Sequence, residues 1–312
     1  MKLVSFQQKD RLHTYRIGVL EGDKVIDIQS AYQALLSSGK EESIAADEME
    51  SELPTDPSQF FAIGTPAIEK AKKAYQYILN KRDEGQSFPL KDIKLGAPIS
   101  SPGKIICVGK NYADHVAEMQ SDIPEYPVLF AKFNNALIGP EDAIETSDVT
   151  KKLDYEVELA FVIGKMATKV KQEEALSYIA GYTIGNDTSA RDLQKRTPQW
   201  LQGKTLDRST PIGPWVVTAD EISDPGNLSI RSFVNGVERQ ASNTSHLIFD
   251  IPFLIEFISN LITLNPGDII LTGTPDGVGF AMDPPQFLED GDVVTLEIEK
   301  IGRMENKVVH LI

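Results

Sequence analysis

The sequence is poor in the side chains from which disulfides and zinc sites are built. Its 312 residues include one cysteine, Cys107, and four histidines that lie far apart. A single cysteine excludes an intramolecular disulfide and a zinc site built from several thiolates, and it is typical of a reducing compartment. Because Cys107 follows Ile105 and Ile106, we expect a buried strand residue rather than a nucleophile. The histidine spacing gives no support to zinc hydrolase or iron oxygenase chemistry.

Positive charge and long apolar runs are also scarce. The chain has 31 Lys and Arg against 46 Asp and Glu, which gives a net charge of −15. Nucleic acids and anionic membranes are bound through basic patches, so we predict neither as a partner. No apolar run approaches the ~20 residues of a membrane-spanning helix, and the N-terminus turns polar too early for a signal peptide. We therefore expect a soluble, cytoplasmic protein.

The first hundred residues predict a small α+β unit. Residues 15–20 and 24–28 flank Glu21-Gly22-Asp23, a short hairpin signal. Residues 28–36 and 66–81 have helical apolar spacing. The acidic stretch 41–56 has seven acids and no Lys or Arg, which is typical of a solvated loop or helix face. Residues 97–103 (APISSPG) look like a linker, so we predict an N-terminal accessory domain, residues 1–100, and a main domain, residues 101–312.

From residue 104 onward, short apolar strands alternate with turn signals. Strands are predicted at residues 104–108 and 269–271, and residues 251–264 have the spacing of a helix with one apolar face. Asn235-Gly236 between apolar residues is a strong hairpin signal, and a last hairpin is predicted between residues 292 and 311. The predicted fold class is α+β and β-rich.

Three acids alternate along a predicted strand, residues 153–163. In an extended strand, Asp154, Glu156 and Glu158 point to the same face. In a partly dry site such carboxylates repel one another unless a cation or shared protons hold them together. Hard divalent cations such as Mg²⁺, Mn²⁺ and Ca²⁺ take oxygen ligands, which favours a metal site. The alternative is a solvated acidic strand face.

A histidine and a glutamate follow the strand at residues 104–108. His115 and Glu118 are three residues apart and would be neighbours on one helical turn. A carboxylate beside an imidazole orients it and favours its charged form, which prepares a general base. The alternative is a surface pair on a polar helix. The position after a buried strand favours function, because strand-end loops often carry it.

Polar residues also follow the apolar segment 178–184. Asp187 at this strand end is a candidate third carboxylate ligand. Arg191 and Gln194 share one face of a helix that starts at Asp187 or Thr188. The alternative is an N-capping Asp187 with a solvent-facing Arg191.

Two further segments are candidates for ligand contacts. Lys204 lies between a glycine and small polar residues, where a lone lysine is usually a surface residue. Residues 273–279 (GTPDGVG) are rich in glycine but lack the lysine of a P-loop and the G-x-G-x-x-G spacing. We interpret them as a backbone-lined ligand loop, not a nucleotide site.

Together these segments resemble the fumarylacetoacetate hydrolase family. The resemblance covers about residues 104 to 312, in order and spacing, while the first hundred residues look like a variable N-terminal domain of longer members. The matching segments are residues 108–115 (VGKNYADH), 154–159 (DYEVEL), 186–192 (NDTSARD), 203–207 (GKTLD) with 211–214 (PIGP), and 266–275 (PGDIILTGTP).

The resemblance implies a mixed β-roll catalytic domain, a homodimer and a set of site residues. It implies Mg²⁺ or Mn²⁺ as the cofactor and a small 2-oxo acid as the substrate. The implied metal ligands are Glu156, Glu158 and Asp187; the implied catalytic residues are His115 and Glu118 on a lid, with Lys204; the implied substrate contacts are Arg191, Gln194 and Thr274. Residues 198–202 (PQWLQ) match no fixed family motif, which makes them candidates for setting specificity.

The implied chemistry is that of an enolate. A 2-oxo acid chelates a divalent ion through its carboxylate and keto oxygens, and the ion stabilises the enolate as a Lewis acid. Lys204 adds positive charge nearby. His115 can activate water to hydrolyse an acylpyruvate. Loss of CO₂ would instead be oxaloacetate-type decarboxylation, and proton movement alone would be tautomerisation.

We rank C–C bond cleavage first because the pair His115–Glu118 is present. Hydrolysis or decarboxylation of a diketo or oxo dicarboxylic acid would suit the catabolism of aromatic compounds. The alternatives are an isomerase or tautomerase of an unsaturated 2-oxo dicarboxylate, a dehydratase of sugar acids, and a non-catalytic metal-binding module.

Overall fold

The computed structural model describes residues 1–9, 14–38, 46–81 and 87–311. The helices are α1 (Ile28–Ser38), α2 (Ala46–Glu52), α3 (Pro57–Ile63), α4 (Thr65–Lys81), α5 (Ala113–Glu118), α6 (Gln172–Ala175), α7 (Arg191–Gln194), α8 (Leu201–Lys204) and α9 (Ile251–Leu261). The strands are β1 (Lys2–Gln8), β2 (Arg16–Glu21), β3 (Lys24–Asp27), β4 (Ser87–Pro89), β5 (Ile93–Gly96), β6 (Ile105–Gly109), β7 (Val128–Lys132), β8 (Leu137–Ile138), β9 (Ile144–Thr146), β10 (Leu153–Asp154), β11 (Val157–Ile163), β12 (Ile179–Asn186), β13 (Ser189–Ala190), β14 (Thr210–Thr218), β15 (Ser229–Val234), β16 (Val237–Asn243), β17 (Ile269–Leu271), β18 (Val293–Ile298) and β19 (Gly302–His310).

Two mixed sheets organise the chain. The larger has the order β4-β3-β2-β1-β14-β12-β11-β17-β6-β7, with β5 on β1 and β8 on β14, and the smaller has the order β16-β15-β18-β19-β9. Most neighbours are antiparallel, whereas β6 and β17, β8 and β14, and β9 and β19 are parallel. This arrangement of mixed sheets with helices confirms the predicted α+β, β-rich class.

Local sequence signals account for the elements that were predicted best. Asn235 and Gly236 have φ angles of 53° and 78° and join β15 to β16, with Val234 paired to Val237. Both positive φ angles suit an Asn-Gly hairpin turn. The two N-terminal helices are also present as α1 and α4, and Cys107 is buried in β6 as expected.

The predicted acidic strand is interrupted in the structure. Residues 153–154 form β10 and pair with β13, and β11 begins only at Val157. The break occurs because Glu156 donates its backbone N–H to the Asn186 side chain, 3.0 Å away, and accepts from the Asp187 N–H. Asp154 therefore does not continue the strand ladder that holds Glu158.

The N-terminal residues share a sheet and a core with the rest of the chain. Strand β1 pairs with β14, and the Thr65 N–H donates to the Gly164 carbonyl across 2.9 Å. Phe60 and Phe61 are buried in one cluster with Val162 of β11 and residues of β6 and β17. The boundary between residues 100 and 101 stays a prediction.

The acidic stretch is only partly described. Residues 46–52 form α2, in which Met49 is buried while Asp47 and Glu48 are exposed, as expected for a solvated helix face. Residues 41–45 and His13 lie outside the described residues. In the part of the chain that the structure describes, no helix has the length and apolarity needed to cross a membrane.

Truncating the shared core is expected to destabilise the whole described fold. Phe61→Ala leaves a cavity between α3 and the central strands and should lower the free energy of unfolding by about 3–5 kcal/mol. Leu79→Ala is the control, because Leu79 is 45% exposed on α4 and its loss should cost less than about 1 kcal/mol. Urea unfolding followed by circular dichroism measures both. Similar losses for the two variants would contradict the shared core.

Candidate active site

Three carboxylates converge where two neighbouring strands reach the same edge of the larger sheet. Strands β11 and β12 are antiparallel, with Val157 opposite Asn186 and Glu158 opposite Gly185. Asp187, just past the end of β12, therefore lies beside Glu156 and Glu158 at the start of β11. One ligand oxygen from each of the three lies within 4.8 Å of the others, and all three residues are buried. The structure thus brings the predicted metal-ligand set together.

Two buried lysines contact these carboxylates, and one of them bridges Glu156 and Asp187. Lys204 Nζ lies 2.7 Å from Glu156 Oε2 and 2.6 Å from Asp187 Oδ2. Lys132 Nζ lies 2.7 Å from the other oxygen of Asp187 and donates to the Thr188 carbonyl at 3.2 Å. Both lysines are buried, so Lys204 is not the surface residue of the alternative interpretation.

An arginine joins the carboxylate cluster from the opposite side. Arg191 Nε lies 2.8 Å from Asp154 Oδ2, and its Nη2 lies 2.7 Å from Glu156 Oε1. Its Nη1 donates to Gln194 Oε1 at 3.2 Å. Helix α7 begins at Arg191, later than the predicted start, because residues 189–190 pair in β13 instead. The buried Arg191 is not solvent-facing, and Asp187 is held by lysines.

Asp154 serves as the anchor of Arg191 and lies outside the three-carboxylate cluster. Its two oxygens also accept from the backbone N–H groups of Gly279 and Phe280, at 2.9 and 3.0 Å. Burial raises the pKa of this carboxyl above its usual value, and this effect outweighs the opposing attraction of Arg191.

The three clustered carboxyls have unequal environments. Burial acts to raise the pKa of Glu156, but Lys204 and Arg191 outweigh it and hold that pKa below its usual value. Burial, followed by repulsion from Asp187 and Glu156, raises the pKa of Glu158 well above its usual value. Burial acts to lower the pKa of Lys204, but the carboxylates of Asp187 and Glu156 outweigh this effect and hold that pKa above its usual value.

The charges of this cluster and of the neighbouring Asp154, taken together, do not balance. The four carboxylates are Asp154, Glu156, Glu158 and Asp187, and the three cations in contact with them are Lys132, Arg191 and Lys204. With every group ionised, one negative charge is in excess. Among the described residues, the salt bridges of these cations reach Asp154, Glu156 and Asp187, whereas Glu158 accepts from the Gly273 N–H at 2.8 Å. An all-oxygen donor set with unbalanced negative charge fits a hard divalent cation.

The predicted acid–base pair lies on α5. His115 Nδ1 is 2.6 Å from Glu118 Oε1, and Glu118 Oε2 accepts from the Gly277 N–H at 2.8 Å. The helix therefore rests on the loop 272–279. His115 is buried, which differs from the surface-pair alternative.

The glycine-rich loop approaches other backbone closely. Gly277 has a φ of +98°, and a Cβ there would lie 2.0 Å from the Arg239 carbonyl oxygen. Gly273 has a φ of +105°, so glycine suits both positions. Thr274 between them is buried and accepts a hydrogen bond from Gln240.

A small cavity of about 70 Å³ lies between these elements. Of the nine predicted site residues, every one except Glu118 lines it, and Glu118 stands behind His115. Lys110, Met119 and Phe130, which were not among the predicted site residues, also line it, together with Trp200 of the predicted specificity segment 198–202. A wider surface groove of about 580 Å³ beside α9 includes none of the predicted site residues.

Trp200 and Lys132, which lie near the cavity, both had signals in the sequence. Trp200 belongs to the unmatched segment 198–202; it packs edge-on against Phe130, with ring centroids 5.4 Å apart, and a Cβ on Gly109 would lie 2.4 Å from it. Lys132 ends the apolar strand β7, where a buried lysine requires a carboxylate partner. Its partner, Asp187, is 55 residues away in the sequence. The functional roles of all these residues stay predictions.

Comparisons with known proteins give a family match and named relatives. The sequence model described as Fumarylacetoacetate (FAA) hydrolase C-terminal matches residues 104–309. The chain is 42% identical to the mitochondrial oxaloacetate tautomerase fahd2 of Xenopus laevis, over 99% of this chain and 90% of that protein. It is 41% identical to the oxaloacetate tautomerase YisK of Bacillus subtilis (strain 168), over 93% of this chain and 94% of that protein.

A solved structure adds a metal-bound comparison. The crystal structure of maleylpyruvate hydrolase from Sphingobium sp. SYK-6, in complex with manganese(II) and pyruvate, superposes with a TM-score of 0.75. Its sequence is 30% identical, over 99% of each chain.

Divalent metal is expected to stabilise the folded protein through the three carboxylates. A ligand at about 100 times its Kd adds about 2.7 kcal/mol to the free energy of unfolding. We expect Mn²⁺ to give such a gain for the wild type and Glu158→Gln to lose most of it at the same concentration. Asp148→Asn, at a side chain that is 85% exposed, should keep the gain. Thermal unfolding with and without Mn²⁺ measures this, and an unchanged gain in Glu158→Gln would exclude Glu158 as a ligand.

Proposed function

The chain belongs to the fumarylacetoacetate hydrolase family, and we propose that it is a divalent-metal-dependent enzyme that tautomerises a small 2-oxo acid of the oxaloacetate type. The observation that carries this proposal is the convergence of three buried carboxylates with Lys204 and His115 around one small cavity. The names of two relatives that match more than nine-tenths of the chain support the choice of tautomerisation.

Glu156, Glu158 and Asp187 would hold the metal, for which Mg²⁺ and Mn²⁺ are the candidates. When bound, the ion would supply Lewis-acid polarisation of the keto and carboxylate oxygens of the substrate. The manganese and pyruvate in the maleylpyruvate hydrolase structure support this pairing of ligands. A divalent ion would also turn the excess negative charge of the cluster into an excess positive charge, which suits an anionic substrate.

Lys204 would stabilise the charge that develops during the reaction. Its ammonium group is buried and already fixed between Glu156 and Asp187, so it requires little reorganisation. A preorganised cation in a low-dielectric cavity stabilises negative charge that develops on a keto oxygen. Phe130, whose ring lies 4.9 Å from Lys204 Nζ, adds a further contact to this group.

His115 would transfer protons to and from the C3 carbon and the keto oxygen of the substrate. Glu118 occupies Nδ1, so the neutral imidazole carries its hydrogen there and presents the lone pair of Nε2. In the ketone-to-enol direction, Nε2 would take a proton from C3 of the substrate, and the imidazolium so formed would give a proton to the keto oxygen, which becomes the enol hydroxyl; the enol-to-ketone direction would reverse both transfers. The Gly277 N–H, which binds the second oxygen of Glu118, keeps the pair oriented.

C–C bond cleavage is the second candidate, and it ranks first when the sequence is considered alone. The same Nε2 that takes a carbon-bound proton can take one from water, which would then attack an acyl carbonyl. The name of the structural relative, maleylpyruvate hydrolase, supports this reaction. Decarboxylation, dehydration of a sugar acid and isomerisation of an unsaturated dicarboxylate would use the same carboxylates.

The remaining proposals concern the whole protein. The start of the family match at residue 104 supports an accessory domain of residues 1–100 and a catalytic domain of residues 101–312. We keep the homodimer as a proposal from the family. The cytoplasmic location also stays a proposal, since one of the tautomerases carries the word mitochondrial in its name.

Replacing the proposed base should reduce tautomerisation sharply. Loss of general acid–base catalysis typically costs 10²–10⁴-fold, and we expect a fall of that order in kcat for His115→Gln. His246→Gln is the matched control, because His246 is exposed and does not line the cavity. The assay follows the decay of freshly dissolved enol-oxaloacetate by ultraviolet absorbance, with Mn²⁺, with Mg²⁺ and with a chelator.

Parallel assays separate the candidate reactions. Release of pyruvate from acylpyruvates and from oxaloacetate reports hydrolysis and decarboxylation. Faster turnover of these substrates than of the enol would replace tautomerisation by C–C cleavage as the main activity. Unchanged rates in His115→Gln would refute the assigned base, and full activity in the presence of the chelator would refute the metal.

A further inference from the structure

Gln240 connects the smaller sheet to the wall of the cavity. It lies on β16 and is only 1% exposed. Its Oε1 accepts from the Val157 N–H at 3.1 Å and from Ser232 Oγ at 2.9 Å. Its Nε2 donates to the Pro275 carbonyl at 2.8 Å and to Thr274 Oγ1 at 2.7 Å. This amide therefore uses two donors and two acceptor positions at once.

The direction of these hydrogen bonds is fixed by backbone groups. A backbone N–H such as that of Val157 can only donate, and a carbonyl oxygen such as that of Pro275 can only accept. The Gln240 amide can therefore face only one way, with Nε2 toward Thr274 and Pro275. Thr274 Oγ1 must then accept from Gln240, and its own hydrogen points elsewhere.

The position of Thr274 determines which groups can accept a hydrogen bond from its hydroxyl. Thr274 lines the cavity together with Arg191 and Gln194, and it follows Gly273, whose N–H binds Glu158. Within the described part of the chain, the Thr274 hydroxyl makes the hydrogen bond that it accepts from Gln240 and donates none. A buried hydroxyl hydrogen without a partner costs free energy, so a ligand acceptor at this position would be favoured.

We propose that Gln240 is a positioning residue that presents the Thr274 hydroxyl to the cavity as a hydrogen-bond donor. The site would thereby favour ligands that place an acceptor-only group, a carboxylate, at this wall. A ligand with an amide there would leave the threonine hydrogen or its own N–H unpaired. This inference rests on the proposed function, because it presumes that an anion of a 2-oxo acid enters the cavity.

Oxalate and oxamate form a matched pair of probes, since they differ by one carboxylate replaced by an amide. Calorimetric binding to the Mn²⁺-loaded protein gives a Kd for each. We expect the wild type to prefer oxalate by about tenfold or more, the scale on which an unpaired buried polar group discriminates. Thr274→Val should lose most of this preference, whereas Thr274→Ser should keep it.

Gln240→Glu reverses the hydrogen bond with little change of shape. One carboxylate oxygen can still accept from Val157, while the other accepts from Thr274 and draws its hydrogen away from the cavity. We expect the preference for oxalate to fall about tenfold. Gln33→Glu, an exposed position on α1, makes the same charge change and should leave the preference intact. Gln240→Met, neutral and of similar length, should give a partial loss, and thermal unfolding checks that both variants fold.

A double-mutant cycle separates this role from a structural one. If Gln240 acts through Thr274, Gln240→Glu should reduce the preference no further when Thr274 is already valine. Additive losses, or an unchanged preference in both Gln240 variants, would overturn the inference while leaving the proposed function standing. A Mn²⁺-loaded wild type that binds neither oxalate nor any 2-oxo acid would overturn both.

Discussion

The burial of acidic side chains beside cations is the constraint on which the site depends. Moving a carboxylate out of water costs several kcal/mol unless opposite charge and hydrogen bonds compensate. Lys204 between Glu156 and Asp187 supplies part of this compensation, and Lys132 supplies more on the far side of Asp187. With every group ionised, negative charge remains in excess, and the proposed divalent ion would compensate it.

The sheet arrangement supplies this site with parts from distant segments. The pairing of β11 with β12 aligns two strand ends, and β17, which pairs with β11 from the other side, leads into the loop that holds Glu158. The smaller sheet adds Gln240, while α5 rests on the glycine-rich loop from outside. Each contribution is held by a backbone hydrogen bond or a buried ion pair, which limits the freedom of the side chains before any ligand enters.

A single arrangement of this kind can serve several reactions. The proposed polarisation of a 2-oxo acid and the proposed base, His115 Nε2, would be common to tautomerisation and to C–C cleavage, and proteins similar to this chain are named for both. The two reactions would then differ in the group that the base deprotonates, which is a C–H group of the substrate in tautomerisation and a water molecule in hydrolysis. Trp200 and Phe130, on the aromatic wall of the cavity, are placed to influence how much room remains for that water.

Short-range patterns in the sequence determined the local features. Strand alternation placed Glu156 and Glu158 on one face, and helical spacing made His115 and Glu118 neighbours. The Asn-Gly pair predicted a hairpin. Each of these patterns depends only on residues a few positions apart. The strand-end position of Asp187 indicated a third carboxylate ligand, and the family resemblance implied the same residue. Only the tertiary structure decided that Asp154 lies outside the carboxylate cluster and binds Arg191, that Lys132 contacts Asp187 and that Gln240 donates a hydrogen bond to Thr274. These contacts join residues 34 to 55 positions apart, and pairings over such distances depend on which strands lie side by side, a choice made by the packing of the whole chain.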